Sequence, residues 1–170
     1  LIFPFGFSQT DQILNSCNDI AGKIFYSKSH RLLVDRNKII ISELKNKEEI
    51  CLEISENSDE INFPINLRFA ISEELDYHKS EGKATFDFDR IKFPIQIRKW
   101  KEGDYFHPIG MKGKKKLSDF FIDEKLSRFE KEKCFIMCSD EKIMWIIGHR
   151  MDDRFKITNK TKKAYIAGLF

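Results

Sequence analysis

The 170-residue chain carries a net charge of +3 with 41% apolar residues, enough to bury a core as one domain or two small ones. Apolar residues alternate with charge, and no stretch approaches the roughly 18 uninterrupted apolar positions of a membrane-crossing helix, so a helical membrane protein is excluded. The charge is uneven: residues 1–89 sum to −6 and residues 90–170 to +9, which places a polyanion-binding face in the second half.

The opening segment LIFPFGFSQTDQ has no initiator Met, no basic n-region and no small-residue cleavage site, so it does not read as a signal peptide. A start inside a hydrophobic run reads instead as a segment of a longer protein. Ser8 to Ala21 predicts a short helix, capped by Ser8 with Asp11 three residues on and followed by Gly22. Its apolar face holds Ile13, Cys17, Ile20 and Ala21. The runs KIFYS, RLLVD, KIIISEL, EICLEIS and INLRFAIS then predict strands, with a hairpin turn at Asp35-Arg36-Asn37-Lys38. Residues 72–83 are polar and without a strong period, a loop or a fraying helix. ATFDFD and FPIQIRKW resume the strand pattern, and LSDFFIDEKLSR predicts a helix from an N-cap at Ser118. CFIMCS and IMWIIG predict two buried strands turned at Asp140-Glu141, and AYIAGLF a final strand.

The expected fold is α+β. An N-terminal helix and β-rich connecting region fill residues 1–93, and a compact mixed α/β C-terminal domain fills 94–170. The seam is expected near residues 90–96, where the charge changes sign. The four cysteines show no C-x-x-C pair. Cys134 and Cys138, four apart on a strand, would lie roughly 13 Å from each other, too far to share a zinc ion or a disulfide. Reduced, buried thiols in a cytosolic protein are the expectation. His30, His78, His107 and His149 are not spaced as metal ligands. Asp104, His107 and Ser118 are the residue types of a nucleophilic triad, but no spacing fixes that geometry.

The chemistry-bearing stretch is RKWKEGDYFHPIGMKGKKKLSDFFIDEKLSR, residues 98–128. Arg98, Lys99, Lys101, Lys112, Lys114, Lys115 and Lys116 are opposed before Leu117 only by Glu102 and Asp104. Gly110 and Gly113 permit backbone that aims N–H groups outward just before the predicted helix, which together with the ammonium groups suits phosphate. Lysines position a nucleic acid without reading its sequence, whereas Arg98, Arg150 and Arg154 suit bidentate contacts and Arg128 extends the basic face; each arginine reads almost equally as the partner of Asp104, Asp119, Asp123, Asp152 or Asp153. Trp100 is a candidate for base stacking; Trp145, Phe120 and Phe121 read as core. Asp104 reads as the residue that orders the loop by accepting backbone N–H bonds.

Two motifs occur in order. The first is R-x-W-x-x-G-D-x-F-x-P-x-G-x-x-G-x-K-K-L-S-D-F-F-x-D-x-K, starting at Arg98; the second is W-x-x-G-x-R at Trp145, Gly148 and Arg150, followed by Arg154 and Thr158. Over residues 95–158 the chain resembles the C-terminal domain of the tRNA(Ile)-lysidine synthetase family. PFGF, GKIFYSKSHRLLVDR and IIIS resemble the end of that family's middle region. The resemblance implies a cytoplasmic bacterial ligase that activates C2 of the wobble cytidine of an isoleucine tRNA with ATP and Mg. Free lysine then displaces AMP to give lysidine, so that the tRNA reads AUA as isoleucine. In the family, ATP and lysine are handled by an N-terminal domain with an S-G-G-x-D-S loop. No two glycines are adjacent here, so no catalytic residue transfers, and no cofactor is expected in this segment. The expected tRNA-binding residues are Arg98, Lys99, Lys101, Lys112, Lys114, Lys115, Lys116, Arg128, Arg150 and Arg154, with the acceptor end implied by the resemblance. A homodimer is left open. The competing reading is a protein-docking or self-association module whose basic loop meets an acidic patch such as ENSDE, residues 56–60.

Overall fold

The computed structural model describes residues 4–17, 22–36, 38–44, 50–74 and 82–170. The last predicted turn of the N-terminal helix (18–21), Asn37 of the predicted hairpin turn, and residues 75–81 of the polar stretch lie outside these.

The chain forms two compact units: Leu1–Glu48 with Lys125–Glu132, and Glu49–Glu124 with Lys133–Phe170. In the first, helix α1 (Phe7–Ser16) precedes the antiparallel meander β1 (Lys23–Tyr26), β2 (His30–Asp35) and β3 (Lys38–Glu43). Its N-cap is Gly6 rather than Ser8, and no side chain caps it. Strand alternation turns Leu32 and Val34 of β2 onto one face, where they pack with Phe5 and Ile13. On the other face Arg31 lies 4.3 Å from the centre of the Phe129 ring and pairs with Glu132.

The second unit holds two four-stranded antiparallel sheets. Its strands are β4 (Cys51–Ile54), β5 (Glu60–Ile61), β6 (Leu67–Ser72), β7 (Lys83–Asp87), β8 (Ile95–Lys99), β9 (Tyr105–Phe106), β10 (Lys115–Lys116), β11 (Phe135–Ser139), β12 (Lys142–Ile146) and β13 (Ala164–Leu169). One sheet runs β12-β11-β8-β4, the other β5-β6-β13-β7, and β9 pairs with β10 as a short hairpin. The register row Met137–Ile97–Leu52 crosses the first sheet, and Phe69–Ala167–Ala84 the second. These inward rows form one apolar core with Trp145, Phe86 and Tyr165. The predicted turn at Asp140-Glu141 is present, with both residues at positive φ (50° and 61°), as a two-residue hairpin requires.

The seam expected at 90–96 is not where the units divide. β4 from before that point pairs with β8 after it, and β13 from the end of the chain lies between β6 and β7. Surface charge changes sign there, but strand pairing ignores it. The predicted helix over 117–128 is also two elements. α2 (Leu117–Asp123) stops where Lys125 takes φ 56°, and α3 (Arg128–Lys133) starts afresh. The reason is a capping box: the Ser127 amide donates to Glu130 Oε2 (2.7 Å), and the Glu130 amide donates to Ser127 Oγ (3.3 Å). Hydrogen bonding from the Ser127 hydroxyl and backbone amide to the Glu130 carboxylate holds its pKa below the ordinary value. The N-cap of α2 is Lys116, without a side-chain bond, and Ser118 Oγ turns to Asp119.

Candidate nucleic-acid interface

The basic stretch becomes a hairpin fixed at two carboxylates. At its base, Arg98 Nη1 and Nη2 donate to the two oxygens of Asp104, each at 2.9 Å, and Nη1 also reaches the Lys99 carbonyl. The Lys101 amide donates to Asp104 Oδ2 at 2.7 Å, and the turn closes through Gly103 at φ 93°. Asp104 orders the loop, as its place in the Gly-Asp turn predicts. Its bonds to Arg98 push the guanidinium's pKa up, so that arginine is committed to structure. The Leu117 amide returns to the Asp104 carbonyl and sets the start of α2 beside the turn.

The second anchor is Asp152, fully buried. Its oxygens accept from the His107 amide (2.8 Å), the Arg154 amide (2.8 Å), Arg154 Nε (2.9 Å) and Arg154 Nη2 (2.7 Å). The pairing pushes the Arg154 pKa up. Asp153 donates its amide to the His107 carbonyl at 2.7 Å, so both sides of His107 are tied to this turn. Between the anchors Phe106 points inward, edge-on to Phe120, while Tyr105 beside it points out.

Alternation along β10 divides the lysine run. Lys115 turns inward and pairs with Asp123 on α2, whereas Lys112, Lys114 and Lys116 are exposed. Lys114 Nζ sits 4.8 Å from the Tyr105 ring centre. Lys112, Lys116 and the exposed Lys101 and Arg150 side chains have no ion pair among the described residues. Lys99 is turned across the sheet, its Nζ 3.6 Å from the Phe135 ring centre. Arg128 is exposed on α3 in the other compact unit. The structure thus leaves Lys101, Lys112, Lys114, Lys116 and Arg150 exposed on this unit, and gives Arg98, Lys99, Lys115 and Arg154 partners inside it.

Trp145 and Phe121 are buried as predicted, and Trp100 packs edge-on to Phe121 at 5.1 Å. The triad residue types do not converge: Asp104 holds Arg98, Ser118 faces Asp119, and His107 Nδ1 lies 3.7 Å from Asp152. The reading of the arginines as partners of nearby aspartates holds for Arg98 with Asp104 and for Arg154 with Asp152, whereas the hold of Asp152 on the His107 amide and the exposed Tyr105 ring were not foreseen. The alternation in D-Y-F-H, with Phe106 bound to face the core, was the available signal for Tyr105.

Residues 1–44 match the family model of the TilS substrate binding domain, and residues 95–167 that of the TilS substrate C-terminal domain. The chain is 40% identical, over 98% of its length, to a tRNA(Ile)-lysidine synthase of Parabacteroides distasonis, and 36% identical, over 97%, to one of Bacteroides thetaiotaomicron. It covers 39% and 37% of those proteins, and so spans about two-fifths of the length of these relatives. A crystal structure of a TilS C-terminal domain shares the fold at a TM-score of 0.56 and 17% identity, covering 71% of this chain and 95% of that one. With two TilS models matched in order and relatives aligned along nearly its whole length, the chain belongs to the TilS family and carries that family's substrate-binding and C-terminal domains.

Proposed function

We propose that this chain holds tRNA for a tRNA(Ile)-lysidine synthase, and that the β9–β10 hairpin contacts the phosphate backbone. The supporting observation is the anchored hairpin itself: two carboxylates fix its base while Lys112 and Lys116 point outward with no ion pair among the described residues. Ammonium groups held this way gain phosphate contacts without first breaking internal bonds. In the longer cytoplasmic enzyme, a region outside this sequence uses ATP, Mg and free lysine to convert the wobble cytidine of isoleucine tRNA to lysidine. This segment's contribution is placement, because holding a large substrate in register removes part of the entropic barrier without entering the chemistry. Relatives named for a tRNA favour this over the self-association reading.

The test is binding of a fluorescent isoleucine tRNA transcript with a CAU anticodon, across rising salt. Four contacts from Lys101, Lys112, Lys114 and Lys116 give a weakening of about 100-fold between 50 and 200 mM salt, each contact adding roughly 0.7–0.9 to the slope of log affinity against log salt. Binding that does not respond to salt, or no binding at low salt, overturns the proposal.

A further inference from the structure

We propose that the outward face of this hairpin is a site for one unpaired nucleotide, with the base against Tyr105 and its phosphate between Arg154 and Lys114. The inference rests on the RNA-binding reading above and adds which part of an RNA is held there.

Four observations converge. Tyr105 is 45% exposed although its neighbour Phe106 is fully buried, so an aromatic ring is presented to solvent on a short, fixed strand. Its surroundings suit a nucleotide: Lys114 Nζ lies 4.8 Å from the ring centre, and the His107 ring stands edge-on with its centre 6.1 Å away. Arg154 spends Nε and Nη2 on Asp152, leaving Nη1 without a hydrogen-bond partner among the described residues on a side chain that is 31% exposed. The His107 that borders the Tyr105 ring donates its amide to Asp152, the carboxylate that holds Arg154, which places the ring and the guanidinium in one neighbourhood.

The division of labour follows from charge. Asp152 cancels much of the long-range field of Arg154, so that guanidinium contributes a directed hydrogen bond from a pre-set position rather than salt-sensitive attraction. The attraction comes from Lys114 and the other outward lysines. Phosphate contacts alone give no use to an exposed tyrosine, nor to Ile109 and Met111, which are also exposed at the tip of the same loop. A base face does use the ring. In paired RNA the base faces are covered by their neighbours, and only loops, bulges and ends offer one to a protein ring.

The experiment compares two RNA probes: a blunt-ended hairpin, and the same hairpin with a four-nucleotide 3′ extension carrying 2-aminopurine. The wild-type chain is expected to bind the extended probe about tenfold more tightly, the scale of one base–aromatic stack, and to quench the 2-aminopurine. Tyr105→Ala is expected to lose both the tenfold preference and the quenching while keeping its salt slope; Tyr105→Phe keeps all three. Equal affinity for both probes, or a Tyr105→Ala chain that still prefers and quenches the extended one, overturns the inference. If blunt and extended probes bind equally but with steep salt dependence, the nucleotide site fails and the phosphate-contact reading stands. If neither binds at low salt, both fail. A thermal melt of Tyr105→Ala matching wild type shows that the loss comes from the missing ring and not from unfolding.

Discussion

Removing the Asp152 carboxylate should be the most damaging single change near the hairpin. Asp152→Ala withdraws the acceptor from two backbone amides and from two guanidinium nitrogens at once. Arg154 is partly exposed, so its freed nitrogens can turn to water, but the His107 and Arg154 amides sit where the buried carboxylate was. Each of the two orphaned amides costs about 1–3 kcal/mol, so about 2–6 kcal/mol is the expected total, against about 5–15 kcal/mol of stability for a whole domain. Both tryptophans lie in this unit, so urea unfolding followed by tryptophan fluorescence reports on it. At an m-value of roughly 2–3 kcal/mol/M the midpoint should fall by about 1–2 M. Asp152→Asn, which keeps a carbonyl acceptor but loses the charge, should fall by about half as much. A loss below about 1 kcal/mol for Asp152→Ala would refute the claim that this carboxylate organises the site.

Three further outcomes are expected. Arg98→Lys cannot reproduce the two-pronged bond to Asp104, and should cost about 1–3 kcal/mol in urea unfolding while leaving the RNA salt slope within about 0.3 of wild type; a slope lower by a full contact would mean Arg98 touches phosphate. Burial pushes the Cys134 thiol up to about 12 and the Cys138 thiol up to about 11 from the ordinary 9.0, so the unfolded chain loses these protons first. Their stabilisation is therefore intact below pH 9 and is lost as pH rises towards 11 and 12, by up to about 2.7 kcal/mol per unit while both titrate; urea midpoints measured from pH 8 to 10 check this, and native-state alkylation should label exposed Cys51 well before either buried thiol. Glu141 holds φ 61° in the β11–β12 turn, so Glu141→Gly should raise stability by about 0.5–1 kcal/mol, and a fall in the urea midpoint would contradict that.

Local structure was readable where side-chain pattern and turn chemistry agree. RLLVD and KIIISEL became neighbouring strands, and CFIMCS and IMWIIG became a hairpin with its turn at the two polar residues between them. What pattern cannot show is which distant strand completes a sheet. Nothing in EICLEIS says that Cys51 will sit opposite Arg98, so the seam was drawn through a sheet. The same limit explains Lys99: its place over Phe135 depends on the pairing of β8 with β11. The broken helix is different, because S-R-F-E at residues 127–130 was a visible capping signal outweighed by the apparent continuity of LSDFFIDEKLSR. At the site, Asp104 was legible from its Gly-Asp turn. Asp152 was legible only as a carboxylate an arginine could pair with; its hold on His107 was not, because the two meet only after β12 turns back towards the hairpin.

On the proposed function, the outward lysines of the β9–β10 hairpin contact tRNA phosphates. The most direct measurement compares the salt dependence of isoleucine tRNA binding for the wild-type chain and for Lys112→Ala/Lys114→Ala/Lys116→Ala. The account predicts a log–log slope shallower by about 2–3 in the triple variant, at roughly 0.7–0.9 for each contact removed. A triple variant that binds with the wild-type slope would contradict it.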